Sequence, residues 1–151
     1  MSIAGEFVVV PTEVLHQHLA GQQDLCAWVR GELPGQPQPL VLDIGDHWHG
    51  INALCDALDI AYVMGEHDIA LACCESAFWV PEARVPLMAH QLQDISAEDL
   101  QSALEALDYD NLYHGHYLQE HPQQLADTLG QIAALYEKAG QSGQVVLFMI
   151  C

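Results

Sequence analysis

Apolar positions recur along this chain with two different periods, and the change of period marks the elements. The opening IAGEFVVV is rich in β-branched residues and is closed by Pro11, which predicts a first strand. Thr12 follows as a candidate helix cap. Val14, Leu15 and Leu19, then Leu25, Trp28 and Val29 beyond Gly21, keep helical spacing and predict one or two short helices ending near Gly31. Pro34, Pro37 and Pro39 in LPGQPQP exclude both helix and sheet ladder, so a surface loop is expected there.

Leu40 to Leu42 are extended or lead into a helix that Asp43 or Asp46 caps. Trp48, Ile51, Leu54, Cys55 and Leu58 recur at helical intervals along it. Residues 66–80 are ambiguous between helix and strand. From Ala83 the positions Val85, Leu87, Ala89 and Leu92 around Pro86 predict an edge strand that tolerates proline. Ser96 followed by Glu98 and Asp99 is a helix start, and Leu100, Ala103, Leu104 and Leu107 continue its stripe. The aromatic, turn-rich DYDNLYHGHYLQEH comes next, then a helix opened by Pro122 and carried by Leu125, Leu129, Ile132, Ala133 and Tyr136 to Lys138 and Gly140. The last run, QVVLFMIC, is too uniformly apolar for an exposed strand and predicts a central one. Strands at both ends with helices between imply a single α+β domain over residues 1–151, with a small mixed or antiparallel sheet that includes the N- and C-terminal strands.

Composition narrows the partners. The chain has 151 residues, 51% hydrophobic and 16% charged, and its net charge is −18. Arg30, Arg84 and Lys138 are its only Lys and Arg residues, so it has no basic face for a phosphate backbone and nucleic acid is excluded as a partner. The acids concentrate in the middle: residues 39–80 carry seven with no Lys or Arg, and residues 81–110 carry seven more against Arg84 alone. Such a field attracts a basic protein or a cation, and the competing reading is a field that serves solubility alone. No apolar run is long enough to span a bilayer and the first residues lack a signal-peptide pattern, so no membrane association and a cytoplasmic location are expected. The five cysteines, odd in number and irregularly spaced, are read as free buried thiols.

Nine histidines include three His-x-His pairs, at 16/18, 47/49 and 114/116. Residues two apart on a helix face different ways, which demotes the first two pairs as metal ligands. His114 and His116, with Glu120 and His121 nearby, could converge on zinc or nickel, against the alternative of solvated loop histidines; no cofactor or metal is assigned. Asp43, Asp46, His47, Trp48 and His49 crowd one helix start, and Glu66 and His67 repeat the carboxylate–histidine theme. A general acid–base or partner-binding pocket could be built from these seven residues if the two segments meet. The competing reading has the aspartates capping, Trp48 filling the core and a histidine bonding a carbonyl. Nucleophile elbow, phosphate loop, zinc-protease and dinucleotide motifs are all missing, and no catalytic residue is assigned.

The segments LDIGDHWHGINALCDAL, MGEHDI, SAEDLQSALEAL, LYEKAGQSGQ and VVLFMI, in this order, resemble the YfbM-like family of small bacterial proteins of uncharacterised function. The most specific stretch is Leu42, Asp43, Ile44, Trp48, His49 and Gly50, followed by Gly65-Glu66. The chain departs from the family pattern at Phe78-Trp79-Val80-Pro81, where relatives often carry a Tyr-Gly-Pro-like stretch. The resemblance implies one α+β domain and no reaction.

Small size, acidity and the missing motifs together point to a non-catalytic binding protein. Its most concrete form is an immunity protein, an antitoxin that blocks the active site of a bacterial toxin domain with a basic or phosphate-binding cleft. The alternative is a small enzyme or metal protein built on residues 43–49 and 66–67. A homodimer through Tyr109, Tyr113 and Tyr117 is a third reading.

Overall fold

The computed structural model describes residues 3–151. Strand β1 (Gly5–Val10) is followed by helices α1 (Thr12–Leu19) and α2 (Leu25–Val29), then strand β2 (Leu40–Gly45) and helix α3 (Trp48–Ala57). Strands β3 (His67–Asp68) and β4 (Ser76–Val80) form a hairpin. Helices α4 (Val85–Gln93), α5 (Ala97–Ala106), α6 (Gly115–Glu120) and α7 (Pro122–Gln141) lead to strand β5 (Val145–Ile150), and a single 3-10 turn covers Tyr109–Asn111. The fold is α+β, with one sheet in the order β2-β1-β5-β4-β3 and every neighbouring pair antiparallel.

The uniform hydrophobicity of β5 follows from its place. It lies between β1 and β4 with both faces covered, so alternate side chains enter different cores. Val146 and Phe148, with Phe7 and Val9 of β1, face the larger core made by α3, α4, α5, α6 and α7. Val145, Leu147 and Met149, with Val8 and Val10, face a smaller one closed by Leu15 of α1 and Leu25 and Trp28 of α2. Tyr136 of α7 is fully buried, and its hydroxyl donates to the Val63 carbonyl.

The expected edge strand after Ala83 is helix α4. Val85, Met88, Ala89 and Leu92 are buried, a helical set, whereas Leu87 stands 62% exposed. Pro86 occupies the first turn, where a missing N–H costs nothing, so it begins the helix instead of marking a sheet edge. Gly140 of α7 passes this turn closely: a Cβ there would lie 3.4 Å from Pro86 Cα. Residues 66–80 resolve into the β3–β4 hairpin, and Leu40 to Leu42 belong to β2 rather than to α3. Ser96 caps α5 as predicted, its hydroxyl accepting from the Asp99 N–H at 3.0 Å. Thr12 caps nothing; its hydroxyl donates to the Gly143 carbonyl instead.

The cysteines also differ from expectation. Cys26 is bonded to Cys73 and Cys74 to Cys151, and Cys55 is the free, buried thiol among the described residues. Adjacent Cys73 and Cys74 each reach a separate partner that only the fold brings near. No helix among the described residues is long and apolar enough to cross a membrane.

One cross-strand pair opposes like charges. Glu6 of β1 faces Asp43 of β2, and partial burial with that neighbouring carboxylate raises the Glu6 pKa above its ordinary 4.5. A raised carboxyl pKa costs the fold stability at neutral pH, and the cost disappears as acidification protonates Glu6 through the raised value and below 4.5. Glu6→Gln is therefore expected to raise stability at pH 7 by roughly 0.2–1 kcal/mol, with the gain over the parent chain vanishing below about pH 4.5, as read from urea midpoints across pH.

Candidate functional site

Where β2 ends the chain reverses tightly. Gly45 takes a left-handed φ of 55°, and its N–H is held by Asp43 Oδ1 at 2.8 Å. The His47 N–H then bonds the Ile44 carbonyl at 3.1 Å, and α3 begins at the next residue. Neither Asp43 nor Asp46 caps this helix: the cap position is His47, without a side-chain bond. Asp43 spends its carboxylate on the turn and Asp46 turns elsewhere.

Each ring of the crowded segment has a partner. His47 Nδ1 lies 2.9 Å from Thr128 Oγ1 of α7, a buried hydroxyl, which ties the helix start to the long helix. Trp48 leans over β1 close enough that a Cβ on Gly5 would meet Trp48 Cβ at 2.9 Å, and its indole N–H donates to the Ile3 carbonyl at 3.1 Å. His49 Nδ1 accepts from the Tyr113 N–H at 3.1 Å, so in the neutral ring Nε2 carries the proton. Asp46 Oδ2 meets His114 Nδ1 at 2.6 Å, so Nδ1 carries a proton and donates it to the carboxylate. A carboxylate orienting an imidazole in this way readies the far nitrogen to accept a proton.

The segment after α5 supplies the other wall. Tyr109 is buried with its hydroxyl on the Leu104 carbonyl at 2.6 Å, and a Cβ on Gly115 would fall 1.6 Å from the Tyr109 carbonyl oxygen. Only glycine fits there. This contact holds His114 in a left-handed conformation, φ 53°, with Tyr113 stacked on it at 4.2 Å between ring centroids. A non-glycine residue in that region stores strain that its surroundings must offset. Ile3, Trp48, His49, Asp110, Leu112 and Tyr113 enclose a cavity of about 520 Å³ beside the Asp46–His114 pair.

Glu66 and His67 are not part of it. They lie at or beside β3, at the opposite edge of the sheet from β2, four strand spacings or roughly 19 Å away. Glu66 Oε2 is 2.8 Å from Arg84 Nε, and His67 packs on Trp79 with ring centroids 5.0 Å apart. The acid–base pocket that joined residues 43–49 to 66–67 is thus corrected: His114, Tyr113 and Asp110 stand where Glu66 and His67 were expected. The sole local signal for His114 is the dipeptide His-Gly, which occurs only at 49–50 and 114–115. In both, the glycine lets the backbone approach a neighbour, Leu125 for Gly50 and the Tyr109 carbonyl for Gly115. His114 is spent on Asp46 and His121 packs against Tyr117, and no three His, Cys, Asp or Glu side chains among the described residues are placed to hold a metal ion. Burial of Tyr109 also removes it from any dimer face, although Tyr113 and Tyr117 remain exposed.

A second depression of about 560 Å³ opens on the helical side between the end of α3, the end of α4 and α5. Asp59, Asp94 and Asp99 line it, with Ile95 and Ala103 at its floor. These three carboxylates share the depression, and residues 94–110 contain six acids without one Lys or Arg.

A family model described as a domain of unknown function (DUF1877) matches residues 1–149. The solved structure of YfbM from Escherichia coli, a protein of unknown function, is similar over 98% of this chain and 99% of that chain, with a TM-score of 0.71 and 18% sequence identity. At that identity the likeness concerns the fold alone. No curated protein matches the chain.

Gly115→Ala is expected to push the Tyr109–His114 segment off α3. The variant should lose roughly 1–3 kcal/mol of stability, read from the urea midpoint, and the Tyr113 amide should exchange faster as its bond to His49 is lost.

Proposed function

We propose, for a chain that belongs to the DUF1877 family of domains of unknown function, that it is a non-catalytic protein-binding domain whose acidic helical side caps a basic surface. The most concrete form of this reading is an immunity protein seated over the phosphate-binding or otherwise basic cleft of a toxin domain. One observation carries it: between Arg30 and Lys138 the chain has a single cation, Arg84, and that guanidinium is committed to Glu66 at 2.8 Å. The carboxylates around α4 and α5 therefore have no uncommitted Lys or Arg near them in sequence, and among the described residues their one ion-pair partner is His90 on Asp94. A field of one sign steers an oppositely charged partner and repels nucleic acid, which is the behaviour a competitor for a polyanion site needs.

The proposed working compartment is the cytoplasm, where an incoming toxin would act. A second reading rests on the Asp46–His114 pair beside the Trp48 cavity: a small-molecule pocket with His114 Nε2 as proton acceptor. It engages neither Glu66 nor His67.

The test co-expresses the chain with each toxin domain its own cell makes and scores growth, followed by binding kinetics on any pair that survives. Nanomolar association is expected, with the association rate falling about tenfold as salt rises from low to physiological strength. Asp94→Lys with Glu105→Lys, two exposed positions outside the first turn of α5, should slow association and leave dissociation nearly unchanged. Rescue of no toxin, or an association rate indifferent to salt and to these charges, overturns the reading.

A further inference from the structure

Four sulfurs from three distant parts of the chain meet beside the smaller core. Cys26 comes from α2, Cys73 and Cys74 from the turn after Leu71, and Cys151 follows β5. The Cys74 N–H bonds the Leu71 carbonyl at 3.3 Å, and this turn sets the Cys73 and Cys74 sulfurs 3.8 Å apart although each belongs to a different bridge. The two bridges differ in access. Cys26 is 6% exposed among Val8, Leu25 and Trp28, Cys73 and Cys74 are half-buried, and Cys151 is exposed. A reductant reaches the outer bridge through Cys151, whereas the inner bridge has one sulfur sealed in the core and the other beside Cys74.

We propose that Cys26, Cys73, Cys74 and Cys151 form a thiol–disulfide exchange site whose substrate is a dithiol reductant, with Cys74 relaying the reduction from the outer bridge to the inner one. One thiolate of the dithiol attacks Cys151 Sγ, forms a mixed disulfide with it and expels Cys74 as a thiolate. The second sulfur of the dithiol closes on the first, and Cys151 leaves and takes up a proton. The Cys74 thiolate then attacks Cys73 Sγ, making a Cys73–Cys74 bond and expelling Cys26, which takes up the second proton. The dithiol has lost two electrons and two protons, Cys26 and Cys151 have become thiols, and one bridge remains in place of two. A second equivalent opens the Cys73–Cys74 bond.

The net charge of −18 disfavours an anionic thiol such as glutathione and favours a neutral or basic dithiol. Cys55 takes no part. It is buried in the larger core, and burial with Asp56 nearby pushes its thiol up to about 12. The exchange requires no toxin or other protein partner.

The test treats the air-oxidised chain with one equivalent of dithiothreitol, quenches with acid, alkylates and maps the products by mass spectrometry. Cys26 and Cys151 are expected to carry the alkyl group, the peptide holding Cys73 and Cys74 to retain an internal bridge, and Cys55 to stay unlabelled until the chain is unfolded. With excess dithiothreitol, the Cys26–Cys73 bridge should open at least roughly tenfold more slowly in Cys74→Ser with Cys151→Ser than in the parent chain, because the nearby attacking sulfur is gone. Equal opening rates overturn the proposal. So does a one-equivalent product in which Cys26 stays bonded to Cys73, or in which Cys73 is alkylated together with Cys26, and so does an oxidised chain that keeps all four thiols free. The mapping of the parent chain decides the matter even where the double variant folds poorly.

Discussion

Pairing of β5 with β1 on one side and β4 on the other is the interaction from which the other placements follow. The sheet consists of two antiparallel pairs, β2 with β1 and β3 with β4, and β5 is the seam between them. Its register with β1, Gly5 opposite Ile150 through Val10 opposite Val145, decides which alternate residues of both strands enter which core. Once Phe7, Val9, Val146 and Phe148 face one way, the helices from α3 to α7 must cover them, and α1 and α2 must cover Val8, Leu147 and Met149. The same register brings Gly5 under Trp48 and sets Ala4 against Cys151, whose backbones exchange two hydrogen bonds of 3.0 Å. The aromatic cavity and the outer sulfur bridge are therefore both anchored to the centre of the sheet.

Charge and shape are divided between different parts of the molecule. The apolar cavity at the start of α3 has His49 bonded to Tyr113 in its wall, and the residues beside it are paired as well, His47 with Thr128 and Asp46 with His114. The acidic depression between α3, α4 and α5 has few such commitments. Asp94 has exposed His90 at 3.5 Å, a contact that carries charge when the ring is protonated, and no ion pair among the described residues engages Asp59 or Asp99. Preorganised donors and acceptors suit selection of a ligand by shape, whereas free carboxylates suit long-range capture.

Elements with one dominant period and a conventional cap were legible in the sequence. α5 shows Ser96 with Glu98 and Asp99, α7 shows Pro122 and a long stripe, and β5 shows apolarity on both faces; all three stand where their residues place them. The helix α4 was not, because Val85, Leu87 and Ala89 imitate strand alternation over the few positions available, and the decisive fact, exposure of Leu87, belongs to the packed state. The candidate site divides in the same way. Asp46, Trp48 and His49 are local to one turn and could be read together, but Asp46 meets His114 only through the docking of the Tyr109–His114 segment, and Glu66 parts from them because β2 and β3 end at opposite edges. The cysteine pairs have the same origin: bridges across 47 and 77 residues leave no trace in spacing.

The seam position of β5 also bears on how the chain reaches this state. β1 and β4 are the neighbours of a strand that follows every other element in chain order, so the two halves of the sheet cannot join until residues 145–150 are available. Until then each half presents an apolar edge, Phe7 to Val10 on one and Ala77 to Val80 on the other, while α7 lacks β5, part of the surface on which it packs. Contacts spanning nearly the whole chain make for slow, late-committing assembly, and unpaired apolar edges are where such intermediates associate wrongly. A charge of −18 on every copy repels those intermediates from one another. The acidity that would steer a partner to the finished protein thus also guards the unfinished one against itself.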